Sequence, residues 1–560
     1  MSYSVLKKLK IDIALSWFIE DSKDDFYPDL LNWRDLTESS ESYLVRLKHK
    51  FFQNDLWQST MEYIPKKNKM LREAIWINPS QRLVYLAILY HFIGKVNPKL
   101  CNEVYSYRLD GQKSADAYPF SKRMDRWKDF HNDFRNSALQ SDCNAILVTD
   151  IASFYDHIHA DNLKSYLKSI LAGNFTKDDE AISNHLVSML KQWGVNGFGM
   201  PNNLDASSFF CNVYLHSIDK EMTSKRYQYF RWMDDIRIVV KSKDQAIRAL
   251  HELQRALLRE RLFMSSEKTH IIEKGDPEFE LQMNVEDDAD LSQIEEDIAS
   301  RQKAKVEKAF KSCVAGLGKH SKSDADDRKF RAYANRLLDI GSFAEFKGHV
   351  DDQLRKSILP MLRELPERND YWTKLLSGIS HPDIVSEVEH LLDVKPSLFD
   401  WQRFHLWRLC LTFDKKEITD KLIQRAREAA TDGICDSVSA VAVIFLGKFL
   451  EHDEKEILFS TMFNGQRPYV VQRALLMATS DSPIREQFHK RANELGGHHE
   501  ELVNMIGKHE SLYALIEQKR SVRNLKEEPE KPVKSLKRGI GLVQGKIVRY
   551  RLSRSDYDYE

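Results

Sequence analysis

A chain of 560 residues is longer than one hydrophobic core accommodates, so two to four domains are expected. Hydrophobic residues at 42% and charged residues at 30% describe an ordinary globular protein, and 84 Lys+Arg against 84 Asp+Glu leave the formal net charge at zero. Any basic surface for nucleic acid is therefore local, and six scattered cysteines without a CxxC or Cys/His cluster argue against a zinc module or a disulfide framework.

No apolar run approaches the length of a membrane span, and Asp12 and Glu20 interrupt what a signal peptide would need. A soluble cytoplasmic protein with no membrane partner is expected. Residues 1–100 read as mostly helical, from the apolar spacing in Ser42–Leu47 and Arg82–Leu89. Residues 101–285 alternate strand-like runs at 145–149, 227–233 and 236–240 with helices at 160–171, 206–222 and 243–262, an α+β region. Residues 286–327 turn acidic and then basic and read as a charged connector.

From 328 to 518 strand signals nearly vanish. Ile384, Val388, Leu391 and Leu392 recur at helical spacing, and amphipathic segments follow near 401–413, 419–430, 437–451 and 467–478. Consecutive helices of this kind predict an all-α, HEAT-like helical-repeat domain, without a crisp consensus. The segment 519–560 carries twelve Lys/Arg between Lys519 and Arg554 against Glu527, Glu528 and Glu530, and reads as a basic flexible tail. Either nucleic-acid phosphates or plain water would suit it.

Within the α+β region, Phe230-Arg231-Trp232-Met233-Asp234-Asp235-Ile236-Arg237-Ile238-Val239-Val240 sets two adjacent acids between two apolar, β-prone runs. This is the pattern of a hairpin with both carboxylates at its turn. A second apolar run, Ala145-Ile146-Leu147-Val148-Thr149, ends at Asp150. Strands that deliver Asp150 and Asp234-Asp235 to one place would build a hard, oxygen-only site suited to Mg²⁺, as two-metal phosphoryl transfer requires.

Further segments fall in order around these acids: Ile77-Asn78-Pro79-Ser80-Gln81-Arg82 and Val104-Tyr105-Ser106-Tyr107-Arg108-Leu109 upstream, Gly199-Met200-Pro201-Asn202-Asn203 with Ser207 between them, and Lys268-Thr269 downstream. The ordered set, over roughly 70–275, resembles the palm of a reverse transcriptase. Asp150 with Phe154-Tyr155 resembles motif A, Met200-Pro201 with Ser207 motif B, Trp232-Met233-Asp234-Asp235 motif C and Lys268-Thr269 motif D. It is most similar to bacterial abortive-infection and defence-associated reverse transcriptases of the unknown-group type. Those share the Tyr-Ser-Tyr-Arg-Leu run and often follow the palm with helical repeats. The fold class implied is an α+β right-hand palm-and-fingers domain followed by an all-α helical-repeat domain. Fingers then fall within 1–100, the palm in 101–285, and the repeats in 328–518.

The resemblance implies roles. Asp150 and Asp234, with Ile151 beside them, would hold two Mg²⁺ ions (Mn²⁺ as a substitute), and Asp235 would bind less directly or hold the pair in place. Tyr155 would exclude a ribose 2′-hydroxyl, so that dNTPs are taken, and Lys268 would protonate departing pyrophosphate. Pro201, Asn202 and Asn203 would seat the nucleotide. Arg82 and Arg108 would either meet phosphates or pair with acids as structural salt bridges. Two departures stand out: Asn202-Asn203 replaces the usual Gln-Gly of motif B, and Trp232 replaces the commoner Tyr or Phe of motif C.

Partners implied are dNTPs, a DNA product, a dedicated non-coding RNA in some relatives, and further copies of the chain or a defence complex. Untemplated, protein-primed and RNA-guided synthesis all stay open, with Tyr3, Tyr550, Tyr557 and Tyr559 as terminal tyrosines. A conventional RNA-templated enzyme of retron or group II intron type is the first alternative, and a catalytically idle RNA-binding scaffold or phage sensor the second. The Arg491…His498 spacing of certain ribonucleases and the His498-His499 pair are discounted, since neither has a supporting third residue.

Overall fold

The computed structural model describes residues 7–516, apart from 51–58, 67–68, 112–116, 141, 284–288, 321–326, 394–398, 464–466, 495–498 and 510. The basic tail, the four terminal tyrosines and His498 lie outside the described residues.

Three short helices come first among the described residues: α1 (Ile11–Asp21), α2 (Arg34–Glu38) and α3 (Ser40–Lys50). A hairpin of β1 (Ser59–Pro65) and β2 (Leu71–Ile77) follows, paired antiparallel from Ser59↔Ile77 to Pro65↔Leu71. The helical expectation for residues 1–100 thus missed a sheet. Next comes α4 (Pro79–Val96), started by the Asn78 side chain, which accepts from the Gln81 N–H at 3.0 Å, with proline in the first turn where no donor is needed. Leu83, Val84, Tyr85, Leu86 and Ala87 are consecutive and all buried, so α4 is enclosed on every side, as its apolar run requires.

The central unit contains α5 (Arg123–Ala138), β3 (Ala145–Ala152), α6 (Ala160–Ile170), α7 (Lys177–Trp193), α8 (Asp205–Ser224), β4 (Gln228–Trp232), β5 (Asp235–Val240), α9 (Lys243–Arg259), β6 (Phe263–Met264), β7 (His270–Glu273) and α10 (Pro277–Met283). The strands form one antiparallel sheet in the order β4-β5-β3-β6, with β7 also on β3. Strand alternation separates its faces. Phe230 and Trp232 meet α5 through Phe134, Phe130 and Trp127, whereas Tyr229 and Arg231 point the other way, to Asp219 of α8. Trp232 is therefore packing between sheet and helix.

The remaining helices are α11 (Ala289–Ala299), α12 (Lys303–His320), α13 (Asp327–Ile340), α14 (Lys347–Glu364), α15 (Asn369–Leu376), α16 (Pro382–Asp393), α17 (Asp400–Cys410), α18 (Asp420–Thr431), α19 (Asp436–Phe449), α20 (His452–Met462), α21 (Tyr469–Ala478), α22 (Arg485–Glu494) and α23 (Glu500–Ile506). The expected charged connector at 286–327 is largely α11 and α12. Val306, Ala309, Cys313 and Leu317 form a buried stripe under the lysines, and the helical region starts at Ala289. Alternate helices pack into two rows, α15-α17-α19-α21-α23 and α14-α16-α18. Lengths in this stack run from 18 residues in α14 to 7 in α23, so no single repeat unit emerges.

Two hydrophobic cores result. One unites the first helices with the central sheet, from Leu9 to Met283. The other fills the helical stack and also takes in Phe26, Tyr27, Leu30, Leu31, Ile64 and Ala74. The β1–β2 hairpin therefore belongs partly to the stack. Trp401 of α17 meets Phe26 and Tyr27 edge-on, Trp76 of β2 meets Tyr469 of α21, and Ser437 of α19 donates to Glu62 of β1.

Candidate active site

Asp150 near the end of β3 stands opposite Asp235 in register, and the Ile151 N–H donates to the Asp234 carbonyl at 3.2 Å. Residues paired across an antiparallel ladder share a face, so Asp150 and Asp235 lie on the same side of the sheet, beside the turn that carries Asp234. That turn has two residues, Met233-Asp234, with Met233 at φ +52°, a position usually given to glycine or asparagine. The four residues sequence reasoning placed together, Asp150, Ile151, Asp234 and Asp235, are thus neighbours in space.

Their electrostatics differ. Burial, reinforced by the negative charge of Asp150, pushes the Asp234 carboxyl up to about 7. Burial also raises Asp150, opposed by Lys268, whose Nζ lies 3.2 Å from Asp150 Oδ2. Asp235 is engaged by Arg237 at 3.2 Å, and Arg237 in turn stacks on Phe130 and Phe134. Carboxylates this reluctant to ionise lack positive charge, and a bound divalent cation would supply it. Among the described residues no three His, Cys, Asp or Glu side chains form a closed cage. Two carboxylates with open positions are instead the partial donor set that Mg²⁺ takes when substrate phosphates complete its shell.

Motif B closes one side. Asn202 donates from Nδ2 to the Glu73 carbonyl of β2 at 2.7 Å, tying this loop to the first hairpin. Asn203 has φ +58°, the left-handed conformation a glycine would adopt there. Asparagine tolerates that region better than other non-glycine residues, so the bend survives the departure from Gln-Gly. Pro201 is buried beside them. Tyr155, in the 3₁₀ turn Phe154–His157, fixes its hydroxyl to Ser208 at 2.9 Å, and its carbonyl accepts from Met200 N–H at 3.1 Å. Its ring is thereby held between motifs A and B, within electrostatic reach of Asp234.

The two arginines resolve toward their structural alternative. Arg82 is 5% exposed and spends its guanidinium on Asp21 and on Asp25 at 2.6 Å, joining α4 to the end of α1 and the segment after it. Arg108 donates to the Cys101 carbonyl at 2.6 Å, the Val104 carbonyl at 3.0 Å and Asn97, bracing its own loop. Neither is available to a triphosphate, because each donor fork is satisfied by the protein.

The cation sequence reasoning missed is Arg72 of β2. Its charge lowers both Asp150 and Asp234, and Lys66 at the same hairpin's end acts likewise on Asp156. The overlooked signal is a lysine-rich turn, Lys66 to Lys69, between two β-prone runs. The discounted histidines stay discounted: His499 is buried against Tyr469 and Gln472, and Arg491 donates to the Ser460 carbonyl.

Residues 64–305 match the family described as reverse transcriptase (RNA-dependent DNA polymerase). A search of curated proteins gives no match. Among solved structures, apo telomerase from Candida tropicalis aligns with TM-score 0.30 and 12% identity over 65% of this chain and 74% of that one. Telomerase from Candida albicans, in complex with the TWJ fragment of telomeric RNA, aligns with TM-score 0.27 and 12% identity over 73% and 68%. Among the described residues no helix is long and apolar enough to cross a membrane. Residues 64–305 of this chain are a reverse transcriptase domain, and the activity that goes with it is RNA-directed DNA polymerisation.

Proposed function

We propose that this chain makes DNA from dNTPs in a Mg²⁺-dependent reaction at Asp150 and Asp234, and that it serves antiphage defence. The observation that carries the catalytic part is the meeting of these two carboxylates at paired strand ends, facing Arg72 and Lys268. Bound Mg²⁺ would lower the pKa of an attacking 3′-hydroxyl and neutralise the triphosphate. Asp150 and Asp234 would hold it, and Asp235 with Arg237 stiffens the strand behind them. Arg72 and Lys66 orient the incoming phosphates, Lys268 delivers a proton to departing pyrophosphate, and Tyr155 closes the space a 2′-hydroxyl would need. Pro201, Asn202 and Asn203 seat the nucleotide against the first hairpin.

The defence role, and with it an untemplated, protein-primed or RNA-guided mode, is supported by the motif order, the Tyr105–Leu109 run and the helical region behind the palm. One observation favours ordinary template copying as a second reading: Asn203 keeps the left-handed bend of motif B.

The test supplies purified protein with Mg²⁺ and each labelled dNTP, with and without a primed RNA template, beside Asp234→Asn. Incorporation without added nucleic acid, lost in Asp234→Asn, supports the untemplated mode. Incorporation only on the primed template supports the second reading. No incorporation in either case, with equal Mn²⁺ binding by wild type and Asp234→Asn, leaves the idle scaffold.

A further inference from the structure

The Tyr105–Leu109 run has no partner in the chemistry above, yet it touches motif C. The Met233 N–H donates to Ser106 Oγ at 3.0 Å, and the Met233 carbonyl accepts from Arg231 Nη1 at 2.9 Å. The same Nη1 donates to Asn212 Oδ1 at 2.9 Å, and Asn212 Nδ2 donates to the Ser106 carbonyl at 2.9 Å. These contacts close a ring: Met233, Ser106, Asn212, Arg231 and back to Met233. Arg231 is oriented by a bidentate pair with Asp219, both bonds 2.7 Å, and Asp219 also accepts from the Tyr229 hydroxyl. Ser106, Asn212, Asp219 and Arg231 are all fully buried.

The ring matters because of what it encloses. Met233 is a non-glycine residue at φ +52°, a conformation that strains an L side chain and persists only where its surroundings enforce it. Both main-chain polar groups of this strained residue are gripped, and the next residue is Asp234. On its other side Asp234 is fixed by its carbonyl, which accepts from Ile151 N–H, and by the Asp150↔Asp235 pairing. The carboxylate therefore leaves a backbone pinned at both ends.

We propose that Ser106, Asn212 and Arg231 are positioning residues that hold Met233 in its left-handed turn and so set the place of Asp234 for divalent-cation binding. This rests on the reading of Asp150 and Asp234 as the cation site. A network that only satisfied buried polar groups would affect folding and leave cation affinity alone. A positioning network changes the affinity, because a displaced carboxylate misses its place in the coordination shell.

Arg231 variants would strand Asp219 and risk unfolding, so the test uses Ser106→Ala, which removes one hydroxyl. Mn²⁺ binding is measured by electron paramagnetic resonance, and the Mg²⁺ midpoint of dNTP incorporation is measured alongside, for wild type, Ser106→Ala, Asn212→Ala, Asp234→Asn and the double variant Ser106→Ala/Met233→Gly. The expected result is a 5- to 20-fold weaker Mn²⁺ affinity and a matching rise in the Mg²⁺ midpoint in Ser106→Ala, each restored at least half-way in the double variant, because glycine adopts positive φ without strain. A melting temperature that falls while Mn²⁺ affinity stays at the wild-type value in both Ser106→Ala and Asn212→Ala overturns the proposal. Wild-type Mn²⁺ affinity in Asp234→Asn would overturn the cation-site reading itself, a distinct outcome that removes the proposal with it.

Discussion

Glu62 is expected to contribute a loss of stability as pH rises. Its side chain on β1 is 5% exposed, accepts from the Ser437 hydroxyl of α19, and has no partner for its second oxygen among the described residues. Burial pushes its carboxyl from the ordinary 4.5 up to about 8, with Asp436 and Asp400 adding negative charge. Those two carboxyls are themselves raised, while Arg467 and Arg403 oppose the effect at Asp436 and Asp400 respectively. Tyr27 and Cys435 face the same spot and are pushed up with it, and among the described residues no cation forms an ion pair with Glu62. Below pH 4.5 the group is protonated in both folded and unfolded chains and has no effect. As pH rises toward 8 the unfolded chain loses this proton and the folded one keeps it, so stability drops by about 1.4 kcal/mol per unit. Between pH 5 and 8 that amounts to about 3–4 kcal/mol. Glu62→Gln keeps the shape and removes the titration. Urea unfolding of both proteins at pH 5, 6.5 and 8 is the assay. Wild type is expected to lose about 3–4 kcal/mol more than Glu62→Gln across that range. Parallel curves for the two proteins would refute the reasoning.

Other consequences are simpler to test. Arg72→Ala is expected to raise the KM for dNTP about 10-fold with little change in melting temperature, which steady-state incorporation kinetics would check, because a phosphate contact worth about 1.4 kcal/mol is lost. Arg82→Met leaves Asp21 and Asp25 buried without their cation, so a loss of about 3–5 kcal/mol in urea unfolding is expected. Asn203→Gly should preserve stability, whereas Asn203→Val, forced to φ +58°, should cost about 1–2 kcal/mol in thermal unfolding.

What the sequence showed and hid follows from the range of each signal. The strand ends that carry Asp150 and Asp234 were legible because each closes a local run of β-prone apolar residues, and a strand end is a property of a few neighbours. Helices such as α6 and α8 were found within a few residues of their observed ends for the same reason. Arg82 stayed open between phosphate and salt bridge because its partners, Asp21 and Asp25, lie about 60 residues upstream and carry no mark of their destination. The supposed connector concealed its helices under lysine, although Val306, Ala309, Cys313 and Leu317 recur at 3, 4 and 4 residues beneath the charge. The β1–β2 hairpin was missed because part of its burial comes from the distant stack. Its Ile64 and Ala74 complete that core, and their runs are interrupted by Glu62, Arg72 and Glu73, which masks the alternation.

That dependence leads to the last prediction. Arg473 of α21 is 2% exposed, pairs with Asp29 at 2.7 Å and Asp35 at 2.6 Å, and stacks on Trp33 at 4.7 Å. One turn earlier on the same helix, Tyr469 meets Trp76 of β2, the strand that carries Arg72. A single short helix thus holds the chain's first segment with one residue and the nucleotide-facing hairpin with another. Arg473→Met leaves two buried carboxylates facing each other and should lower stability by about 3–5 kcal/mol. Adding Asp29→Asn and Asp35→Asn removes the stranded charges and should restore most of it. In that repaired triple variant the fold is kept but the ionic grip of α21 on the first segment is gone, so α21 meets the hairpin only through Tyr469, beside the hairpin's other contacts to Ser437, Asn202 and the stack core. If the helical stack sets where Arg72 stands, KM for dNTP rises several-fold in the triple variant while kcat changes less than twofold. An unchanged KM in a protein of restored stability would show that Trp76 and the shared core are enough to place the hairpin, and that Arg473 serves the fold only.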